Sequence, residues 1–508
     1  MSKYRQTIRT AAILGALLGH SVFAGTPPDP LARLTALAAR NAPVDIAETL
    51  LEIDRGLNGT IDVAVYRNRL DAMASELRVA LAQAENTREK LERMAEIIYG
   101  KWGFADSKTL PADVYVSFAD VLDKKQWNCF GMSMLYLALG ERVGLPMAMV
   151  AGRGHALVRT EGDVLYVETT QRGNIHESTA YLADYLPYPC TEPAEYVAVP
   201  SRTAIAVSLT QTGAALAARG NMPVAELCFR HALEYDSQYA ETHAAIGFVA
   251  MTAGNAVRAL ESLRKAIALD PKQREAHGGL GTVLHATGDL DGAEKAFRDA
   301  VALCKSQPEP LFNLGQVLFE KGDLAGAESA FRAYTELVPL DADGYVRLAF
   351  PLEDLGKLDE ALAAYAAALR INPRHIDAMV NSGGISEKQA KWEAARAWYE
   401  KALALSSSNP FALTGMGRVL TEQGQYDAAT RFFEQSIMVD AGNPATWIDF
   451  ARLQKKRGDL TGAMEKLETA LRIAPKEPET HVELALIYLG QKNATKAREH
   501  ARIARDLG

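Results

Sequence analysis

Cysteine is scarce in this chain: four in 508 residues, at Cys129, Cys190, Cys228 and Cys304. No Cys-x-x-Cys pair, no His-x-x-x-His and no acidic loop of metal-ligand spacing occurs, so no metal or other cofactor is expected. Glycine-rich phosphate loops are missing as well. The Gly152-Arg153-Gly154 turn leads into extended sequence rather than a helix. Charge of one sign is not in great excess, and a net charge of −8 argues against nucleic acid or an anionic membrane as the main partner. Long apolar runs are absent too. Residues 11–18 supply the core of roughly nine apolar residues, where a bilayer needs about 20, so no membrane anchor is expected. Lys3, Arg5 and Arg9 precede that run and Val22-Phe23-Ala24 follows it, the pattern of a secretory signal peptide cut after Ala24. No cysteine follows the run, which argues against a lipoprotein. The mature protein is expected to be exported, to the periplasm if the source has an outer membrane. Export permits disulfides, and a bridge from Cys190 to Cys228 would tie the front region to the repeats described next. The simpler expectation is that these cysteines are buried as small apolar residues, because a large helical array needs no staple.

What the chain has in abundance is small residues at one interval. Alanine recurs every 34 residues at Ala225, Ala259, Ala293, Ala327, Ala361, Ala395, Ala429, Ala463 and Ala497. Twelve positions upstream runs a second ladder: Gly213, Gly247, Gly281, Gly315, Ala349, Gly383, Gly417, Ala451 and Ala485. Two antiparallel helices cross closely only where bulk is absent, so each unit carries a small residue on both. Between the ladders stand Gly220, Gly254, Gly288, Gly322, Gly356, Gly424 and Gly458, suited to end a helix in the left-handed conformation. Asn221, Asn255, Asp289, Asp323 and Asp459 follow, suited to cap the next helix. Bulky residues recur four after the alanine, as in Phe229, Phe297, Phe331, Tyr365, Tyr399 and Phe433, and Pro271, Pro339, Pro373 and Pro475 close units. This pattern resembles the tetratricopeptide repeat, which implies an α-solenoid of about nine helix–turn–helix units over residues 206–508.

The front region, residues 25–205, reads differently. A Pro- and Ala-rich tether and a short helix come first, then helical periodicity from Asp45 to Tyr99 (Leu70, Met73, Leu77; Leu91, Met94, Ile97, Ile98). A loop with Pro111 leads to Phe118-Ala119-Asp120-Val121-Leu122 and then Asn128-Cys129-Phe130-Gly131-Met132-Ser133. Cys129 opens a buried helix that ends near Gly144-Leu145-Pro146. Three extended segments follow: 147–151, 155–159 with His155, and 164–168 with Glu168. A cysteine at a helix start, a histidine on one strand and a carboxylate on the next form a connected constellation.

This order resembles the transglutaminase-like thiol fold, and the whole chain resembles a bacterial family that joins such a domain to tetratricopeptide repeats. Leu70-Asp71-Ala72-Met73, Trp102-Gly103-Phe104, Asn128-Cys129 with its helix, Gly144-Leu145-Pro146 and Gly154-His155 carry the likeness. It covers about residues 60–175, the core of the domain being about 97–175, and extends through the repeats. The resemblance implies a thiolate at Cys129 that attacks an amide carbonyl, and His155 as proton donor and then base. Glu168 would orient the ring; transglutaminases usually carry Asp there, so the reach is one methylene longer. A helix N-terminus and an imidazolium both favour the thiolate. The negative oxygen formed on attack would be met by the Cys129 backbone N–H and the Gln126 side chain, with Asn128 as the competitor. Some members of the family lack the cysteine. A non-catalytic scaffold or envelope assembly factor, capped by a degenerate domain, is therefore the alternative to a hydrolase or acyl transferase. Hydrolysis is favoured of the two reactions, since nothing in the sequence excludes water. The enzymatic reading requires the three side chains to converge in a pocket that leaves the sulfur open to solvent.

A concave repeat surface binds extended peptides or a partner's helix. One slot facing it is acidic in Glu241, Glu275, Glu309, Asp343 and Asp377, although first-turn acids are also favoured by the helix dipole alone. Asn313, Arg347 and Asn381 share a second slot and are candidates to hydrogen-bond a peptide backbone. His243, His277 and His481 share a slot with Tyr345 and Trp447 and read as packing residues.

Overall fold

The structure, a computed structural model, describes residues 29–39, 44–104, 117–125, 128–152, 155–181 and 196–507. The expected signal peptide, the Pro111 loop, Gln126, Arg153, Gly154 and Cys190 lie outside the described residues. The chain divides into two compact units, Met1–Leu314 and Gly315–Gly508.

The stretch of helical periodicity from Asp45 is three helices behind a short one. Helix α1 (Ala32–Ala38) is followed by α2 (Ile46–Leu57), α3 (Val63–Leu81) and α4 (Thr87–Ala95). Each later start has a polar cap: Asp45 accepts the Glu48 N–H, Asp62 the Ala64 N–H and Asn86 the Glu89 N–H. Helix α4 runs into one π turn, Glu96–Lys101. Helix α5 (Phe118–Lys124) precedes α6 (Cys129–Val143), whose side chains from Met132 through Leu139 are all buried. At its far end Gly140 lies against the following chain, where an added Cβ would stand 2.7 Å from the Leu145 carbonyl oxygen.

Five strands form one antiparallel sheet in the order β4-β3-β2-β1-β5: β1 (Met147–Gly152), β2 (His155–Thr160), β3 (Tyr166–Glu168), β4 (Asn174–His176) and β5 (Val197–Val199). Alternation sorts the faces. Met149, Val158 and Val167 join the core with α6, while Val150 and Leu157 pack with Tyr196 on the other side. That core continues into the first repeat through Ile205, Leu209, Cys228, Ala232 and Tyr235, and it includes Leu34 of α1 and Leu31 just before it.

From Ser201 onward the helices come in pairs, from Ser201–Ala218 with Met222–Tyr235 to Pro478–Gly490 with Ala494–Leu507. The solenoid array of tetratricopeptide repeats is thus present, and the partner of the upstream small-residue ladder is specific. A Cβ on Gly281 would lie 2.7 Å from the Phe297 ring, and one on Gly417 would lie 2.7 Å from Phe433. The aromatic four after the alanine rests on the bare backbone of the first helix, so the two ladders and the aromatic slot are one contact. Four of the five polar caps form, at Asn255, Asp289, Asp323 and Asp459; Asn221 makes no side-chain cap bond. Where the left-handed slot lacks glycine, Ala390 (φ 55) and Lys492 (φ 60) adopt that conformation anyway.

Two expectations need correction. His243 and His277 do more than pack: each Nε2 lies 3.0 Å from the carbonyl oxygen six residues earlier, at Ser237 and Pro271. Trp447 Nε1 donates the same way to Ala441, at 2.9 Å, so imidazole and indole tie the turn between units alike. His481 bonds instead to His500, Nδ1 to Nδ1 at 3.0 Å. The cysteines divide. Cys228 is unbridged and fully buried, as the simpler expectation had it, so no bridge joins it to Cys190. Cys304 is disulfide-bonded rather than a plain apolar residue.

Candidate active site

Asn128 sets the start of α6, its Oδ1 accepting the Gly131 N–H at 3.0 Å. Cys129 is therefore the first residue of a 15-residue helix, where unpaired backbone N–H groups and the positive dipole end favour an anion. The cap uses the amide oxygen of Asn128, so its contribution to an oxyanion would come from Nδ2. Gln126, its rival, lies outside the described residues.

His155 opens β2 and Glu168 closes β3, and antiparallel pairing sets the start of one strand beside the end of the other. His155 Nε2 lies 2.8 Å from Glu168 Oε2. The Cys129 side chain acts on the same ring and helps to raise its pKa. Side chains from α6, β2 and β3 thus meet at the imidazole.

Burial works to lower the His155 pKa, but the bond to Cys129, the bond to Glu168 and the negative charge of both partners outweigh it and carry the pKa up to about 10. For Glu168 burial works upward. The bond and charge of His155 and two bonds from Thr170 prevail, holding the carboxyl below its ordinary range. The ring is therefore an imidazolium at neutral pH and the carboxyl an anion. All three residues are enclosed: Cys129 is 5% exposed, His155 6% and Glu168 0%.

Sequence reasoning missed the donors that hold Glu168. Thr170 gives its N–H (3.0 Å) and its hydroxyl (2.6 Å) to Oε1, and the Tyr181 hydroxyl donates to Oε2 at 3.0 Å. The Tyr99 hydroxyl, on the π turn, donates to the Thr169 carbonyl at 2.6 Å and fixes the chain beyond β3. Tyr196 meets the His155 ring edge-on at 6.3 Å. A Thr-Thr pair directly after the carboxylate was the one available cue to these partners.

Glu241, Glu275, Glu309, Asp343 and Asp377 all stand in first turns, as the dipole favours. Glu275 bonds Arg274 at 2.9 Å and Asp343 bonds His375 at 2.9 Å. Asn313, Arg347 and Asn381 are half-buried, and Arg347 lies over the Phe350 ring at 5.9 Å. Among the described residues no group of three or more His, Cys, Asp or Glu could hold a metal ion, and no helix is long and apolar enough to cross a membrane.

Comparison with known proteins agrees with this architecture. The transglutaminase-like superfamily matches residues 64–195. Tetratricopeptide repeat families match residues 245–308, 309–342, 352–410 and 448–508, and residues 412–445. The chain therefore consists of a transglutaminase-like domain followed by tetratricopeptide repeats. It is similar to YrrB, described as a TPR protein with an unusual peptide-binding site, at 25% identity over 36% of this chain and 95% of that one (TM-score 0.35). It is also similar to a tetratricopeptide repeat protein from Parabacteroides merdae, at 20% identity over 53% and 94% (TM-score 0.35). A third likeness is to the APC/C hetero-tetramer Cut9-Hcn1, at 13% identity over 95% and 96% (TM-score 0.39). No curated protein matches.

Proposed function

We propose that the front domain is a cysteine-dependent amide hydrolase or acyl transferase, carried by an exported protein whose repeats hold a protein or peptide partner. One observation carries the chemistry: the buried His155 ring bonds Glu168 at 2.8 Å and is acted on by the Cys129 side chain as well. Cys129 Sγ attacks the amide carbonyl carbon and forms a thioester. The departing amine takes its proton from His155. Water, activated by the same ring, then cleaves the thioester to acid and regenerates the thiol; an amine in its place would complete acyl transfer. Glu168 keeps the ring oriented throughout. Hydrolysis is the reaction we favour.

The test is alkylation of Cys129 by iodoacetamide at pH 6 in the full-length protein. Labelling should be fast and should fall at least about tenfold in His155→Ala, because the ring no longer stabilises the thiolate. Equally slow labelling in both proteins would refute the ion pair. One observation favours a second reading, a non-catalytic scaffold: Cys129 is only 5% exposed. Under it, native Cys129 resists iodoacetamide and labels only on unfolding.

The partner role rests on the repeats, and its candidate contacts are Asn313, Arg347 and Asn381 with the acidic slot. Replacing those three by alanine should release the partner that co-purifies with the full-length protein. Export rests on residues 1–24, and the mass of the mature chain tests cleavage after Ala24.

A further inference from the structure

Tyr181 lies in no recognised motif, yet its hydroxyl donates at 3.0 Å to Glu168 Oε2, the oxygen that also meets His155 Nε2 at 2.8 Å. We infer that Tyr181 is a positioning residue that keeps the Glu168 carboxylate ionised and turned toward His155, and that His176 holds Tyr181 in place for this task. The inference rests on the amide chemistry proposed above and adds the regulation of its acid–base pair.

The geometry supplies the reasons. Glu168 is completely buried, and a buried carboxylate stays charged only while donors surround it. Four do: two from Thr170 on Oε1, and one each from His155 and Tyr181 on Oε2. During amide cleavage His155 must give up its proton and its charge, and at that moment its bond to Oε2 weakens. Tyr181 is then the donor left on that oxygen, and it keeps the carboxylate from turning or taking a proton.

The phenol is itself braced. Its ring stacks on His176 with centroids 3.6 Å apart and planes 10° from parallel. His176 ends β4, opposite Tyr166 on β3, the strand that ends in Glu168. The short turn Thr179–Tyr181 returns the chain from β4 to the carboxylate. The receiver on β3 and the His176 that braces the donor on β4 thus stand on adjacent strands, and Tyr181 follows on the turn just after β4. The titratable groups around Glu168 are His155 from β2, Cys129 from α6 through that ring, and Tyr181 and His176 from the far side.

The experiment measures iodoacetamide labelling of Cys129 in the full-length protein from pH 5 to 9, in wild type, Tyr181→Phe, Glu168→Gln and His155→Ala. Tyr181→Phe should slow labelling at pH 6 about tenfold, the weight of one bond to a charged group, and move the midpoint of the profile to higher pH. Glu168→Gln should move it further in the same direction. His176→Ala should reproduce the Tyr181→Phe shift more weakly, and His176→Phe, which keeps a stacking ring, should restore the wild-type profile. A purely structural tyrosine would lower thermal stability without moving the midpoint. Wild-type profiles in Tyr181→Phe and His176→Ala, with collapse in His155→Ala, would overturn the role of Tyr181 and leave the proposed chemistry standing. Unchanged labelling in His155→Ala would overturn both.

Discussion

Replacing Glu168 with glutamine keeps the shape of the side chain and removes its charge, and the cost should depend on pH in a defined way. Four donors point at the two oxygens, so whichever end becomes the amide NH2 faces two of them. Each stranded donor costs about 1–3 kcal/mol at any pH. The charge adds a second part. Moving the His155 pKa from 6.5 to about 10 corresponds to about 5 kcal/mol in favour of the charged ring, shared between Cys129 and Glu168. The part of it that the carboxylate supplies is lost with the charge. A raised histidine stabilises fully below its unfolded value of 6.5, and the contribution is lost as pH rises through about 10. A lowered carboxyl stabilises above its unfolded value of 4.5 and loses that contribution as pH falls through its native value. Both are fully present between pH 4.5 and 6.5, so the deficit of Glu168→Gln should peak there and shrink toward pH 10. Hydrogen exchange over α6, β2 and β3, corrected for intrinsic rates, reads this local free energy without assuming that the whole chain unfolds at once. A deficit of equal size at pH 6 and pH 10 would refute the charge assignment.

Further substitutions test the repeats, each read by hydrogen exchange in its own helix pair. Ala390 holds a left-handed conformation that costs a non-glycine residue about 1–2 kcal/mol, so Ala390→Gly should stabilise by about 0.5–1 kcal/mol after the added chain entropy. Gly288→Ala, at the equivalent slot with φ 87, should destabilise by about 1 kcal/mol; equal signs for the two would refute the assignment. Gly281→Val should cost about 1–3 kcal/mol through collision with the Phe297 ring, and a second change, Phe297→Ala, should recover part of it. His277→Phe should lose about 1 kcal/mol with its bond to the Pro271 carbonyl, whereas His277→Trp should retain it as Trp447 does.

The repeats were legible because their signal is local and recurs: glycine, aromatic and alanine slots repeat at a period of 34, and any one unit predicts the next. Cys129, His155 and Glu168 were legible by their order along segments that change from helical to extended patterning. Tyr181 and Tyr99 were not, because neither belongs to a period; what matters is which strand end each reaches in space. The same holds for His231, which contacts Asp29 across 202 positions, and for the bond of Cys304.

One repeat feature escaped for a different reason. Glu387 accepts from Arg418, Arg418 donates to Asp449, and Glu483 accepts from Arg452, every pair 31 positions apart. Comparison at a period of 34 aligns equivalent slots, and in those slots the charges look unrelated. Side chains of neighbouring first helices meet one turn out of step, because on each helix the residues three positions apart share a face. A separation of 31 is the repeat less that turn. The useful spacing for contacts between successive first helices is therefore shorter than the spacing for their architecture. Read at that offset, the alternation of acid and base marks a stretch where the first helices bond to one another, which removes Glu387, Arg418, Asp449, Arg452 and Glu483 from the side chains left for a ligand.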